Sequence, residues 1–81
     1  MMMKYSYTVV IQWSEVDQCF VVCLPEFAPW VMQPVTHGDS YEEALKNAQE
    51  VLELLIEDTI EEGRDLPMPQ PFKPLMLVDA A

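Results

Sequence analysis

The sequence predicts an α+β fold, an antiparallel sheet of three to four strands with one long amphipathic helix on one face, in the order β-β-β-α-β. Three observations predict it. Residues 5–13 alternate apolar and polar side chains, residues 19–24 form an unbroken apolar run, and residues 40–62 repeat apolar positions at helical spacing.

The strand over 5–13 sends Tyr5, Tyr7, Val9, Ile11 and Trp13 one way and Ser6, Thr8, Val10 and Gln12 the other, the pattern of a half-buried strand. Residues 14–18 are polar apart from Val16 and read as a tight connection. The run Cys19-Phe20-Val21-Val22-Cys23-Leu24 is rich in β-branched and aromatic residues, as in a strand covered on both faces, so the two strands form a hairpin. Pro25 and Pro29 then take the chain out of the sheet through an irregular passage. Residues 31–36 form a third strand, held to an edge or a bulge by Pro34. His37-Gly38-Asp39 turns into the helix, and His37 reads as a turn residue.

Ser40 is placed as the N-cap and Glu43, three residues on, completes a capping box. Tyr41, Ala44, Leu45, Ala48, Val51, Leu52, Leu55 and Thr59 draw the apolar stripe, and Gly63 supplies the stop. The opposite face carries Glu42, Glu43, Glu50, Glu53, Glu57, Asp58 and Glu61, with Leu54 among them and Ile60 at the flank of the stripe. Residues 63–74 contain four prolines and favour an extended, polyproline-like path. Residues 75–79 include a last apolar segment of strand length, able to pair within its own molecule or with a neighbour.

At 81 residues the chain is read as a single domain, with core sheet and helix over 4–62. A content of 51% hydrophobic and 22% charged residues marks it as globular rather than disordered. So small a core favours a homo-oligomer. The net charge of −10, from 14 acids against 4 bases, opposes direct nucleic-acid binding and points to a basic or apolar partner. Nothing approaches the ~18 consecutive apolar residues of a membrane span, so no membrane association is expected and the location is read as cytoplasmic. Cys19 and Cys23 lie roughly 13 Å apart along one strand, too far for a disulfide, and are expected as free, buried thiols. Neither a metal nor a cofactor is expected, because His37 is the sole imidazole and no ligand spacing or phosphate loop is present. No catalytic residues stand out, and the chain is read as a non-enzyme.

The remaining candidates are for partner binding. Phe27, Trp30 and Met32 bring unusual apolar surface to the loop, either to cover the end of the core or to meet a partner. Glu53, Leu54 and Glu57 extend that patch onto the acidic helix face.

The succession Leu24-Pro25-Glu26-Phe27, then His37-Gly38-Asp39-Ser40-Tyr41-Glu42-Glu43-Ala44-Leu45 leading to Asn47-Ala48, and finally Gly63-Arg64-Asp65-Leu66-Pro67, resembles the HicB family of antitoxins. The resemblance implies a partial ribonuclease-H-like fold and binding of a small basic RNA-cleaving toxin, HicA. The fold name transfers no nuclease, because such cleavage needs clustered carboxylates around a metal. The chain departs from the family in a hairpin turn without glycine, in a longer loop at 28–35, and in ending at Ala81 with no room for the DNA-binding domain many members carry. It is therefore expected to be a short form that does not repress its own operon alone. The competing expectation is a stand-alone homo-oligomeric domain without a toxin partner.

Overall fold

The computed structural model describes residues 6–73, which form a three-stranded antiparallel sheet in the order β1-β2-β3 with one helix against it. The strands are β1 (Val10–Ser14), β2 (Cys19–Cys23) and β3 (Thr36–Gly38), and the helix is α1 (Tyr41–Glu61). The α+β class expected from sequence is the one observed. The predicted strand over 75–79 lies outside the described residues.

The hairpin closes without glycine because polar side chains do the work. The Ser14 hydroxyl donates to Asp17 Oδ2 at 3.0 Å and accepts from the Asp17 amide at 3.2 Å, while Gln18 takes a left-handed conformation, φ +55°, and its amide donates to Ser14 O. This turn sets the register Trp13 opposite Phe20 and Val10 opposite Cys23.

β1 is shorter than predicted, starting at Val10 rather than at residue 5. The ladder stops because Leu24, next on β2, gives its amide to Gln33 Oε1 (2.8 Å) and its carbonyl accepts from Gln33 Nε2 (3.2 Å), and Pro25 beyond it has no N–H. Thr8 turns its own amide to Glu26 instead. The third strand also differs from the expected 31–36. The Gln33–Pro34 peptide is cis, pairing begins with the Val35 amide on Val22 O at 2.8 Å, and the ladder runs through Gly38. His37 is therefore an exposed strand residue opposite Val21 and not part of a turn.

Gly38 lies opposite Phe20 where α1 crosses closest to the sheet. A Cβ there would stand 2.5 Å from Ala44 N and 2.7 Å from Ala44 Cα, both helix backbone, so only glycine permits this approach. Ala44 and Ala48 on the helix side are small for the same reason, and with Val22 they form one buried cluster. The second joins Tyr7, Leu24, Phe27, Leu52 and Ile56, with Leu66 of the Pro-rich segment packed onto it.

Both helix ends follow the local code. Ser40 caps with its hydroxyl accepting from the Glu43 amide at 3.1 Å, and the Glu43 carboxylate reaches back to the Asp39 amide, one residue further than a standard capping box. At the far end Gly63, φ +75°, donates to Ile60 O and Arg64 donates to Thr59 O, the Schellman arrangement. The buried stripe is rotated from the predicted one: Ile56 joins Ala44, Ala48, Leu52 and Thr59 inside, whereas Tyr41 and Leu45 are exposed. The helix is steered by its close contact at Ala44 and Ala48, which carries the 41–45 flank past the edge of the core.

Among the described residues one helix covers one sheet face, so β2 is not enclosed on both sides by them. Val22 is buried, whereas Cys19, Val21 and Cys23 on the opposite face are half-buried, so the cysteines are free but not sequestered.

Candidate functional site

The loop after β2 begins as a 3-10 turn, Pro25–Phe27, with Pro25 at its first position where the missing N–H costs nothing. The Phe27 amide donates to Leu24 O, and the Trp30 and Val31 amides both donate to Phe27 O. This tight path sorts the loop's apolar residues by depth. Phe27 is 1% exposed and its ring meets Tyr7 edge-on at 5.1 Å. It is a core residue, so of its two expected roles it takes the cover of the core's end and not the contact surface: the turn points it inward among Tyr7, Leu24 and the helix residues Leu52 and Ile56. Trp30 is 49% exposed, lying 6.4 Å from Phe27 on one side and under the Arg64 guanidinium at 5.9 Å on the other. Met32 is exposed. On α1, Glu53, Leu54 and Glu57 are exposed as well. Of the candidate contact residues, the structure thus leaves Trp30, Met32, Glu53, Leu54 and Glu57 at the surface.

Glu26, between Pro25 and Phe27, is 7% exposed and was not singled out in the sequence. Its carboxylate accepts from the Thr8 amide (3.1 and 3.2 Å to its two oxygens), the Thr8 hydroxyl (2.9 Å) and the Gln70 amide (2.9 Å). It therefore clasps together the entry to β1, the loop and the Pro-rich segment, which is also held by the Tyr7 hydroxyl donating to Pro67 O at 2.6 Å. Burial pushes the Glu26 carboxyl up, but the hydrogen bonds from Gln70 and Thr8 outweigh it and hold the group below the ordinary glutamate range. Its neighbours in sequence, an acid between proline and phenylalanine, gave no sign of this, because both partners lie far along the chain.

A second surface was also missed. Trp13 on β1, Phe20 on β2 and Tyr41 at the start of α1 form a continuous row of rings, with centroids 5.2 Å apart for the first pair and 4.4 Å for the second. Trp13 is 47% and Tyr41 65% exposed, and the Trp13 indole N–H donates to Glu15 at 3.3 Å. The pairing of Trp13 with Phe20 follows from hairpin register. Tyr41 joins them because Gly38 pairs with Phe20 and the helix starts three residues on.

Among the described residues no group of three or more His, Cys, Asp or Glu could hold a metal ion. Partial burial, then the charges of Asp17 and Asp39, raise the Cys19 thiol above its ordinary pKa, which keeps it protonated and a poor nucleophile. No helix among the described residues is long and apolar enough to cross a membrane.

A family model described as the HicB_like antitoxin of bacterial toxin-antitoxin system matches residues 7–79. The chain belongs to this family. No curated protein and no solved structure matches it. The matched span includes the Glu26 clasp, the Ser40 cap and the aromatic row, so the features that organise this HicB-like chain all fall within the family's domain.

Proposed function

We propose that this HicB-like chain is the protein-binding half of a toxin-antitoxin pair and neutralises a small basic, RNA-cleaving toxin of the HicA kind. The family match over residues 7–79 carries the reading. The surface supports it: a net charge of −10 favours rapid encounter with a basic protein, and exposed Trp30 and Met32 supply apolar anchors that screened surface charges alone do not. In this role the chain blocks its partner by contact and performs no chemistry, and it neither cleaves RNA nor binds DNA by itself.

The test is co-expression with the product of a small basic reading frame beside this gene. Growth arrest caused by that product alone, relieved by this chain, and recovery of a stable complex is the expected outcome. A neighbouring product that is harmless, or that fails to bind the purified chain, removes the reading.

A second reading, a stand-alone homo-oligomer, is favoured by the sheet face away from the helix, where half-buried Cys19 and Val21 line a groove with Pro34, Val35, Thr36 and His37. Sedimentation at tens of micromolar separates the two readings when it is run with and without the neighbouring product.

A further inference from the structure

The row Trp13, Phe20 and Tyr41 lies on the helix-facing side of the sheet but beyond the helix's buried stripe, so its outer rings are left to solvent. Leu45, one turn on from Tyr41, is exposed beside it in the helix sequence. Exposed apolar groups in a contiguous row are unusual on a small monomer and mark contact surfaces. Here the rings are also held in place: Phe20 is half-buried against the core and touches both outer rings, and Glu15 fixes the Trp13 indole.

Charge around the row selects the occupant. Glu15 in the hairpin turn stands at the Trp13 end with its carboxylate on the indole, and Glu42 follows Tyr41 at the helix start, both exposed, whereas Asp17, Asp39 and Glu43 line a groove with Cys19 and His37. Lys46 is the nearest base in the sequence of that helix end. A nucleic acid would find rings on which to stack its bases, but these carboxylates repel its phosphates. A second copy would bring the same carboxylates face to face. A guanidinium suits the site on both counts, since it stacks flat on aromatic faces and pairs with carboxylates in their plane.

We propose that Trp13, Phe20, Tyr41 and Leu45 form a docking surface for an arginine-bearing segment of a partner protein; that the partner is the toxin rests on the antitoxin reading above. The surface is separate from the Trp30 loop and contributes a second contact.

The experiment is a titration of the full-length, ¹⁵N-labelled protein with a blocked six-residue peptide of alternating arginine and leucine, followed by NMR. The two tryptophan indole resonances are distinguished with Trp30→Phe. The Trp13 indole and the amides around residues 20 and 41 are expected to shift and saturate. Affinity should fall about tenfold or more in Trp13→Ala/Tyr41→Ala, the scale of losing central aromatic contacts. Glu15→Gln/Glu42→Lys, in which the glutamine oxygen can still accept from the Trp13 indole, should weaken it in the same direction, and a lysine-for-arginine peptide should bind more weakly. No shift at Trp13, or shifts confined to the Trp30 loop and the Glu53–Glu57 turn, overturns the proposal. So does movement of the Trp13 resonance with protein concentration alone, which would seat a second copy on the row. The neighbouring gene product provides the other arm. If it binds Trp13→Ala/Tyr41→Ala at full affinity, this surface falls and the antitoxin reading stands; if it does not bind at all, the antitoxin reading falls and the peptide result still decides the surface.

Discussion

Replacing Glu26 by glutamine keeps the shape of the buried side chain and removes its charge. Three donors converge on the carboxylate, the Thr8 amide, the Thr8 hydroxyl and the Gln70 amide, at 2.9 to 3.2 Å. A glutamine oxygen at the Oε2 position retains the Thr8 hydroxyl, Gln70 and the longer bond from the Thr8 amide, but its NH₂ then faces the Thr8 amide at the Oε1 position, donor against donor. Hydrogen bonds to a charged acceptor contribute about 1.5–3 kcal/mol against about 0.5–1.5 for neutral ones, so loss of charge over three donors amounts to about 3 kcal/mol. Easier burial of a neutral group offsets part of this, leaving a net loss of about 2 kcal/mol. For a domain of this size that lowers the Tm by about 8–16 °C. Thermal unfolding followed by circular dichroism measures it, and hydrogen exchange at Gln70 should accelerate in parallel because its amide then bonds to a neutral, weaker acceptor.

The pH dependence has a definite sign. The folded-state pKa of Glu26 is lowered, so its contribution is fully present above the ordinary glutamate value, ~4.3, and is lost as pH falls through the depressed folded value. Wild type and Glu26→Gln should therefore differ most near pH 7 and converge in acid. Equal melting at pH 7, or a difference that persists undiminished into acid, would refute the clasp.

Three further outcomes follow from the geometry. Gly38→Ala places a methyl 2.5 Å from the Ala44 nitrogen, where only backbone can yield, and should cost about 3 kcal/mol or more, read as a lower urea midpoint; a loss under 1 kcal/mol would show that the helix can move away freely. Ser40→Ala removes the hydroxyl that accepts from the Glu43 amide and should cost about 1 kcal/mol by the same assay. Against the neighbouring gene product, Trp30→Ala should speed dissociation with little change in the on-rate, whereas Glu53→Lys with Glu57→Lys should slow association and flatten its salt dependence. Unchanged dissociation of Trp30→Ala, with the fold intact, would make Trp30 a cover for Phe27 and not an anchor.

The helix was legible almost to the residue because its bounds are local: Ser40 and Glu43 act within one turn, and Gly63 acts on the carbonyls of Thr59 and Ile60. The hairpin was legible for the same reason, whereas the register that brings Trp13 to Phe20 came only with the structure. The motif around Leu24-Pro25-Glu26-Phe27 and Gly38-Asp39-Ser40 was enough to recognise the family. Within that motif, however, the roles of the residues were hidden. Phe27 had two open roles, core cover or partner contact, until the 3-10 turn aimed it at Tyr7, and Glu26 looked like one acid among fourteen until Thr8 and Gln70 met it.

Sequence alone therefore determined the class of fold, the helix with both its ends, the hairpin and the acidic surface, all of which depend on residues within a turn or two of one another or on composition. Tertiary structure decided the rest. A helix can rotate about its axis without changing its own hydrogen bonds, so only the close contact of Gly38 with Ala44 chose Ile56 over Tyr41 and Leu45 for the core. The burial of Glu26 depends on donors 18 and 44 residues away, and the exposed row depends on two strands and a helix meeting at one corner. Such contacts arise when the chain closes on itself, and no local pattern of residue types encodes which partners will arrive.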